Sequence, residues 1–159
     1  QHPDFTAVII GETTADQIEF QKNLEQQIAA AGLQKRIVFL GLQPTADIPL
    51  WLRRMTIVVC PQRNEGFGLV PAEAMSSGAA VVGTRVGAAP HLIVDGKTGH
   101  LVDIDDMTAL TAHLHNLMSE PAHAEAMGRE GRVHILENFS IEREARGIAA
   151  VYEKLWAQG

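Results

Sequence analysis

Glu65 and Glu73 stand at either end of a Gly66-Phe67-Gly68 turn, in the stretch RNEGFGLVPAEAMSSGAAVV at residues 63–82. Two carboxylates so placed can be a general acid–base pair or paired acceptors for the hydroxyls of a ligand. They can also be a solvated loop residue and a first-turn Glu favoured by a helix dipole. The residues between them narrow the choice. The two glycines let the backbone turn sharply and come close to a ligand. A helical pattern opens at about Leu69, Pro71 falls in its first turn where a missing N–H costs nothing, and Gly78 stops it. Such a start offers unpaired N–H groups and the positive end of a dipole, which is a seat for a pyrophosphate. Without a metal, a carboxylate beside a pyrophosphate is repelled by it, so Glu65 and Glu73 read as acceptors for sugar hydroxyls on either side. A nucleotide-sugar has that layout: ribose, pyrophosphate, sugar.

The motif needs a strand to deliver it and a helix to carry it away. TIVVC (56–60) reads as the strand that empties into PQRNEGFG. Upstream, FTAVIIG (5–11) is a strand, residues 14–32 carry a helical pattern, RIVFLG (36–41) is a strand, and a helix starts at about Asp47. Downstream, AAVVG (79–83) is a strand, APHLIVDG a short helix capped by Gly96, and GHLVD a short edge strand. Strands alternating with helices of this length imply right-handed βαβ units. The expected class is therefore α/β: a Rossmann-like, doubly wound parallel sheet with helices on both faces. Ligands in such sheets bind outside the carboxyl ends of the strands, here Gly11, Gly41, residues 61–68 and residues 83–87. From Asp105 onward the pattern is purely helical, with Pro121 at one helix start and Ser140 as an N-cap, giving a helical C-terminal tail.

Composition removes several function classes. The chain has 159 residues, 46% apolar and 20% charged, which fits one soluble globular domain, and it has no apolar run long enough for a membrane span. A net charge of -6 argues against nucleic-acid partners. The single cysteine, Cys60, lies inside a buried-type strand and reads as a small core residue, suiting a reducing compartment. His113 and His115 fall on different helix faces, so no metal site is expected. GFG is followed by Leu-Val-Pro, not the dinucleotide-binding Gly-x-Gly-x-x-Gly, and no Walker-type Gly-Lys-Ser/Thr occurs. Arg53 and Arg54 read as a solvated helix end, and Tyr152 and Trp156 as core or interdomain packing.

EGFGLVPAE resembles the Glu-x7-Glu motif of the retaining, GT-B-fold glycosyltransferases of family 4, and MSSGAAVVGTRVGAAPHLIVDGKTGHLVD continues that resemblance through the rest of the sheet. WLRRMTIVVCPQRNEGFGLVPAEAM is similar in particular to bacterial lipopolysaccharide-core mannosyltransferases. The resemblance implies that Glu65 holds hydroxyls of the transferred hexose nearest the reacting carbon. Gly66, Phe67, Gly68 and Leu69 would present N–H groups to the sugar and β-phosphate, and Glu73 would bind the ribose. Gly11 and Gly41 would line the nucleotide pocket. It further implies a nucleotide-sugar donor, GDP-mannose before a UDP-sugar, with no cofactor and no metal. The other partner would be a glycan or lipid-linked acceptor in cell-envelope polysaccharide or lipopolysaccharide synthesis, with the protein cytoplasmic, at the inner face of the cytoplasmic membrane.

The departure from the family is an absence. Members carry an Arg and a Lys in a GR…KG pattern one strand and helix upstream, and an N-terminal domain for the acceptor; neither is in this chain. Residues 1–159 are therefore expected to be a single donor-binding domain, the C-terminal part of a two-domain enzyme without its first βα unit, inactive alone. A non-catalytic nucleotide-binding or packing module and a GT-B nucleotide-sugar epimerase are the competing readings.

Overall fold

A computed structural model of the chain describes residues 5–64 and 66–157. They divide into two compact units, Gln1–Ile48 and Pro49–Gly159.

In the first unit, β1 (Ala7–Ile10) and β2 (Ile37–Gly41) pair in parallel, joined by a short 3-10 turn and α1 (Ile18–Ala30). α1 ends where expected: Gly32 takes a φ of 69°, and its N–H donates to Ala29 O at 3.0 Å.

The second unit holds α2 (Ile48–Leu52, which begins at the last residue of the first unit), β3 (Ile57–Cys60), α3 (Leu69–Ser77), β4 (Ala80–Thr84), α4 (Ala89–Leu92) and β5 (His100–Val102). α5 (Met107–Ser119), α6 (Pro121–Asn138) and α7 (Ile141–Trp156) follow. The three strands pair in parallel in the order β3-β4-β5, leaving the short β5 at an edge. The expected class holds, parallel sheets flanked by helices with a helical tail, while the strand hydrogen bonds fall into two sets, one per unit.

Every residue of β4 is buried, the pattern of a central parallel strand covered on both faces. Ala80 and Val82 join Val102, Leu117, Ala124 and Met127 in a core that α5 and α6 complete through Leu110, Leu114 and neighbours. Cys60 is 1% exposed and belongs to the interior as expected. α6 comes so close to the α3–β4 turn that a Cβ on Gly128 would lie 2.1 Å from Gly78 O. Arg132, one turn further along α6, donates to Ser76 O at the end of α3.

One expectation is corrected and one is narrowed. α4 ends at Leu92, not at Gly96: Ile93 is already extended, and its buried side chain draws the backbone into the sheet region. Gly96 instead forms a tight turn, its N–H donating to Gly99 O at 2.9 Å. Of the two alternatives, core or interdomain packing, the first does not hold for Tyr152 and Trp156. They are 70% and 89% exposed, on an α7 that buries none of its residues although Ser140 caps it by accepting the Arg143 N–H. No helix among the described residues is long and apolar enough to cross a membrane.

Candidate functional site

Because β3, β4 and β5 run parallel, their carboxyl ends share one edge of the sheet, and the segments 61–68, 85–88 and 103–106 leave from it. α3 begins at this edge. Its N-cap, Gly68, has φ 77° and ψ 39°, a left-handed conformation, and is buried. A Cβ there would meet Leu92 Cδ1 at 3.2 Å and Ala88 Cβ at 3.7 Å, so conformation and space both call for glycine. The first intrahelical bond runs from Ala72 N–H to Gly68 O at 3.2 Å. Ahead of it no helical carbonyl serves the N–H groups of Leu69 and Val70, and buried Pro71 has none to offer. Among the described residues no side chain caps this end, and no acidic residue lies in its first turn. Glu73 is the fifth residue of α3, exposed and beyond the reach of the helix-end dipole, which fades within one turn. That disfavours the plain reading of Glu73 as a first-turn stabiliser.

Gly66, Phe67, Gly68, Leu69 and Glu73 thus form one continuous turn and helix start, with Phe67 73% and Leu69 59% exposed. Glu65 lies outside the described residues. Gly11 and Gly41 are brought together in the first unit, where the Gly11 N–H donates to Gly41 O at 3.1 Å across the ends of β1 and β2. Each has open space where a Cβ would be.

Three features of this edge were not read from the sequence. Thr84, the last residue of β4 and 5% exposed, donates through Oγ1 to Gln62 O and lies 3.4 Å from Cys60 O, holding the start of the motif loop. A hydroxyl closing an otherwise apolar strand was the available signal. Second, Arg63 of that loop pairs with Asp105 at 2.8 Å. Third, Arg85 donates to Asp95 Oδ2 at 2.6 Å, and Asp95 Oδ1 accepts the Leu101 N–H at 3.0 Å, pinning β5 to the segment before it. Burial pushes the Asp95 carboxyl up, but the Leu101 N–H and the Arg85 guanidinium outweigh it and hold the group below its ordinary value. Beside it, the ring of His100 stacks on His113 at 3.9 Å between centroids. Burial first, then His113 and His123, push the His100 pKa down against the opposing pull of Asp95. Among the described residues no group of three or more His, Cys, Asp or Glu side chains is placed to hold a metal ion.

The glycosyl transferases group 1 family matches residues 1–134. The chain is 47% identical to the lipopolysaccharide core biosynthesis mannosyltransferase LpcC of Rhizobium leguminosarum bv. viciae, over 98% of this chain and 44% of that protein. It is 41% identical to the mannosyltransferase LpsB of Rhizobium meliloti, over 96% of this chain and 44% of that protein. The chain therefore spans less than half the length of these curated relatives. Its structure is similar to the crystallised C-terminal domain of a group 1 glycosyl transferase, LpcC, from Francisella tularensis. That match has a TM-score of 0.84 and 39% identity, covering 89% of this chain and 73% of that one. It is also similar to Anabaena HepE, solved in complex with UDP, with a TM-score of 0.85 and 26% identity over 96% of this chain and 42% of that one. The α/β fold is that of the C-terminal domain of GT-B proteins. On these grounds the chain belongs to the group 1 glycosyl transferases.

Proposed function

We propose that the protein of which this chain forms the C-terminal part transfers a hexose, mannose, from GDP-mannose to a glycan or lipid-linked acceptor in lipopolysaccharide core synthesis, with retention of configuration. Residues 1–159 are its donor-binding domain, and the acceptor side belongs to the part of the relatives' length that this chain does not span. The reaction takes place in the cytoplasm, at the inner face of the cytoplasmic membrane.

The observation that carries this reading is the start of α3. A helix N-terminus with no side-chain cap among the described residues, headed by a buried left-handed Gly68, opens at the carboxyl edge of a parallel sheet, and an exposed Glu73 stands just over one turn in. As the bond from the sugar to the diphosphate breaks, negative charge grows on the departing group. Fixed N–H groups and the positive helix end stabilise it there without reorganising. Glu73 accepts the ribose hydroxyls and Glu65 those of the hexose, while Gly66, Phe67, Gly68 and Leu69 supply N–H groups to the sugar and the β-phosphate. Catalysis on this account is chiefly positioning and charge stabilisation. The choice of donor draws on the lipopolysaccharide mannosyltransferases at 47% and 41% identity. It draws also on a Mycolicibacterium smegmatis relative, 31% identical, named as GDP-mannose-dependent.

The test is transfer by the full-length protein. It is incubated with GDP-mannose or a UDP-hexose and a deacylated lipopolysaccharide core saccharide, and the anomeric configuration of the product is read by NMR. An α-mannosidic product from GDP-mannose supports the proposal. Hydrolysis or epimerisation of the donor without transfer overturns it.

A further inference from the structure

Hydrogen bonds within the segment between β5 and α5 hold its backbone. The Asp106 N–H donates to Asp103 O at 3.1 Å, the Met107 N–H to Asp105 O at 2.8 Å, and the Asp106 carboxylate caps α5 by accepting the Ala109 N–H at 2.9 Å. The Asp103 carboxylate adds a contact of 3.6 Å to Arg85 Nε. On that frame Asp105 has a φ of 64°, and among the described residues it is the only non-glycine with positive φ. A left-handed backbone is unfavourable for most residues with a Cβ, and Asp and Asn are among the few non-glycine residues that adopt it. Its effect here is to bring the Asp105 carboxylate within 2.8 Å of Arg63 Nη2.

Stability does not account for this arrangement. The Arg63 and Asp105 side chains are 75% and 59% exposed, and an ion pair so exposed adds little to folding. What the pair does is confine a long, flexible arginine to one place. Arg63 is the only basic residue between Arg54 and Arg85, and it stands two positions ahead of Glu65. The backbone before it is fixed through Thr84 and the Gln62 carbonyl. Asp105 engages one nitrogen of a guanidinium that has five N–H donors, so the rest of the fork remains to receive a phosphate or carboxylate in bidentate fashion.

We propose that Arg63 is a substrate-contacting residue that binds an anionic group at the mouth of the motif loop, and that Asp105 is its positioning residue. The anion is a phosphate or carboxylate, from either the donor's diphosphate or an acidic group of the acceptor. The proposal rests on the glycosyl-transfer reading, because it takes the motif loop to face substrate.

The experiment uses the full-length protein with Arg63→Gln, Arg63→Lys, Asp105→Asn and Asp105→Gly. Asn and Gly both accept a left-handed backbone, so these two variants remove the charge without straining the turn. Arg63→Gln lowers kcat/KM at least tenfold, and Arg63→Lys recovers part of the loss. Asp105→Asn and Asp105→Gly each lower kcat/KM at least threefold through KM, with melting temperatures unchanged, and Asp105→Asn adds nothing in the Arg63→Gln background. Calorimetry with GDP identifies the anion. Weaker GDP binding in Arg63→Gln marks the donor diphosphate; unchanged GDP binding with a raised KM for the deacylated core saccharide marks the acceptor. Arg63→Gln with wild-type GDP affinity and acceptor KM overturns the proposal. Wild-type constants in both Asp105 variants overturn the positioning role. If Glu73→Ala impairs transfer while Arg63→Gln does not, only this proposal falls. A wild-type protein that transfers no hexose refutes the functional reading and this one with it.

Discussion

Gly128→Ala tests how α3 is held in place. A Cβ at Gly128 would stand 2.1 Å from Gly78 O, 2.9 Å from Gly78 C and 3.1 Å from Ala79 C. All three are backbone atoms of the turn that ends α3, so no side-chain rotation relieves the contact; α6 must withdraw by about 1 Å from that turn to restore ordinary packing. Overpacking of this kind costs about 1–3 kcal/mol, and the upper end applies where backbone meets backbone. Ala in place of Gly in a helix interior returns about 1 kcal/mol. The net loss is about 2 kcal/mol, which at this chain length lowers the melting temperature by about 4–8 °C. Gly147 in α7 is the control: it is exposed with nothing within 4 Å of a Cβ, so Gly147→Ala keeps only the helix gain and leaves the melting temperature equal or higher. Thermal denaturation of both variants by circular dichroism decides it. If Gly128→Ala matched Gly147→Ala, the close approach of α6 to α3 would be wrong.

Other outcomes follow from the same contacts. Gly68→Ala forces a Cβ onto a left-handed backbone, a penalty of about 1–2 kcal/mol, while Leu92 can rotate away. GDP affinity in this variant falls by more than its stability in urea, because the strain sits in the first turn; equal losses would argue against a seat there. His100 has a folded pKa below its ordinary value, so the fold disfavours its charged form and the unfolded chain takes up the proton first as pH falls. Its contribution to stability is complete above about pH 6.5 and is lost as pH falls through the lowered native pKa. Melting temperatures of the wild type therefore drop between pH 7 and 5, and His100→Asn flattens that slope. Identical slopes would mean that burial against His113 does not oppose protonation.

The strand and helix alternation was legible because periodicity and punctuation agree locally: Gly32, Gly78, Pro121 and Ser140 each start or stop a helix where their chemistry says they should, and Pro71 falls in the first turn of α3. α4 was misjudged because Gly96 looked like a helix end, whereas burial of Ile93 is a tertiary effect that pulls the chain straight before that glycine is reached. The motif helix was legible down to its first turn. What surrounds it was not: Thr84 and Asp105 act on the motif loop from 22 and 42 residues away, and nothing in local spacing announces a contact across a sheet edge. Asp105 was the less visible of the two, since its left-handed φ follows from the hydrogen bonds of Asp103, Asp106 and Met107 around it. α7 has the opposite lesson. Ile141, Ile148, Tyr152 and Leu155 keep helical spacing, which predicts burial of that face, yet they stay between 52% and 81% exposed. Periodicity reports an amphipathic helix and not whether the described residues cover it.

The central claim, that the start of α3 with Glu73 holds a nucleoside diphosphate, is tested most directly by calorimetric titration of GDP into the full-length protein and its Glu73→Ala variant. Losing hydrogen bonds between a charged carboxylate and the ribose costs about 1–3 kcal/mol, so Kd is predicted to rise about 5- to 150-fold. An unchanged Kd would contradict the account.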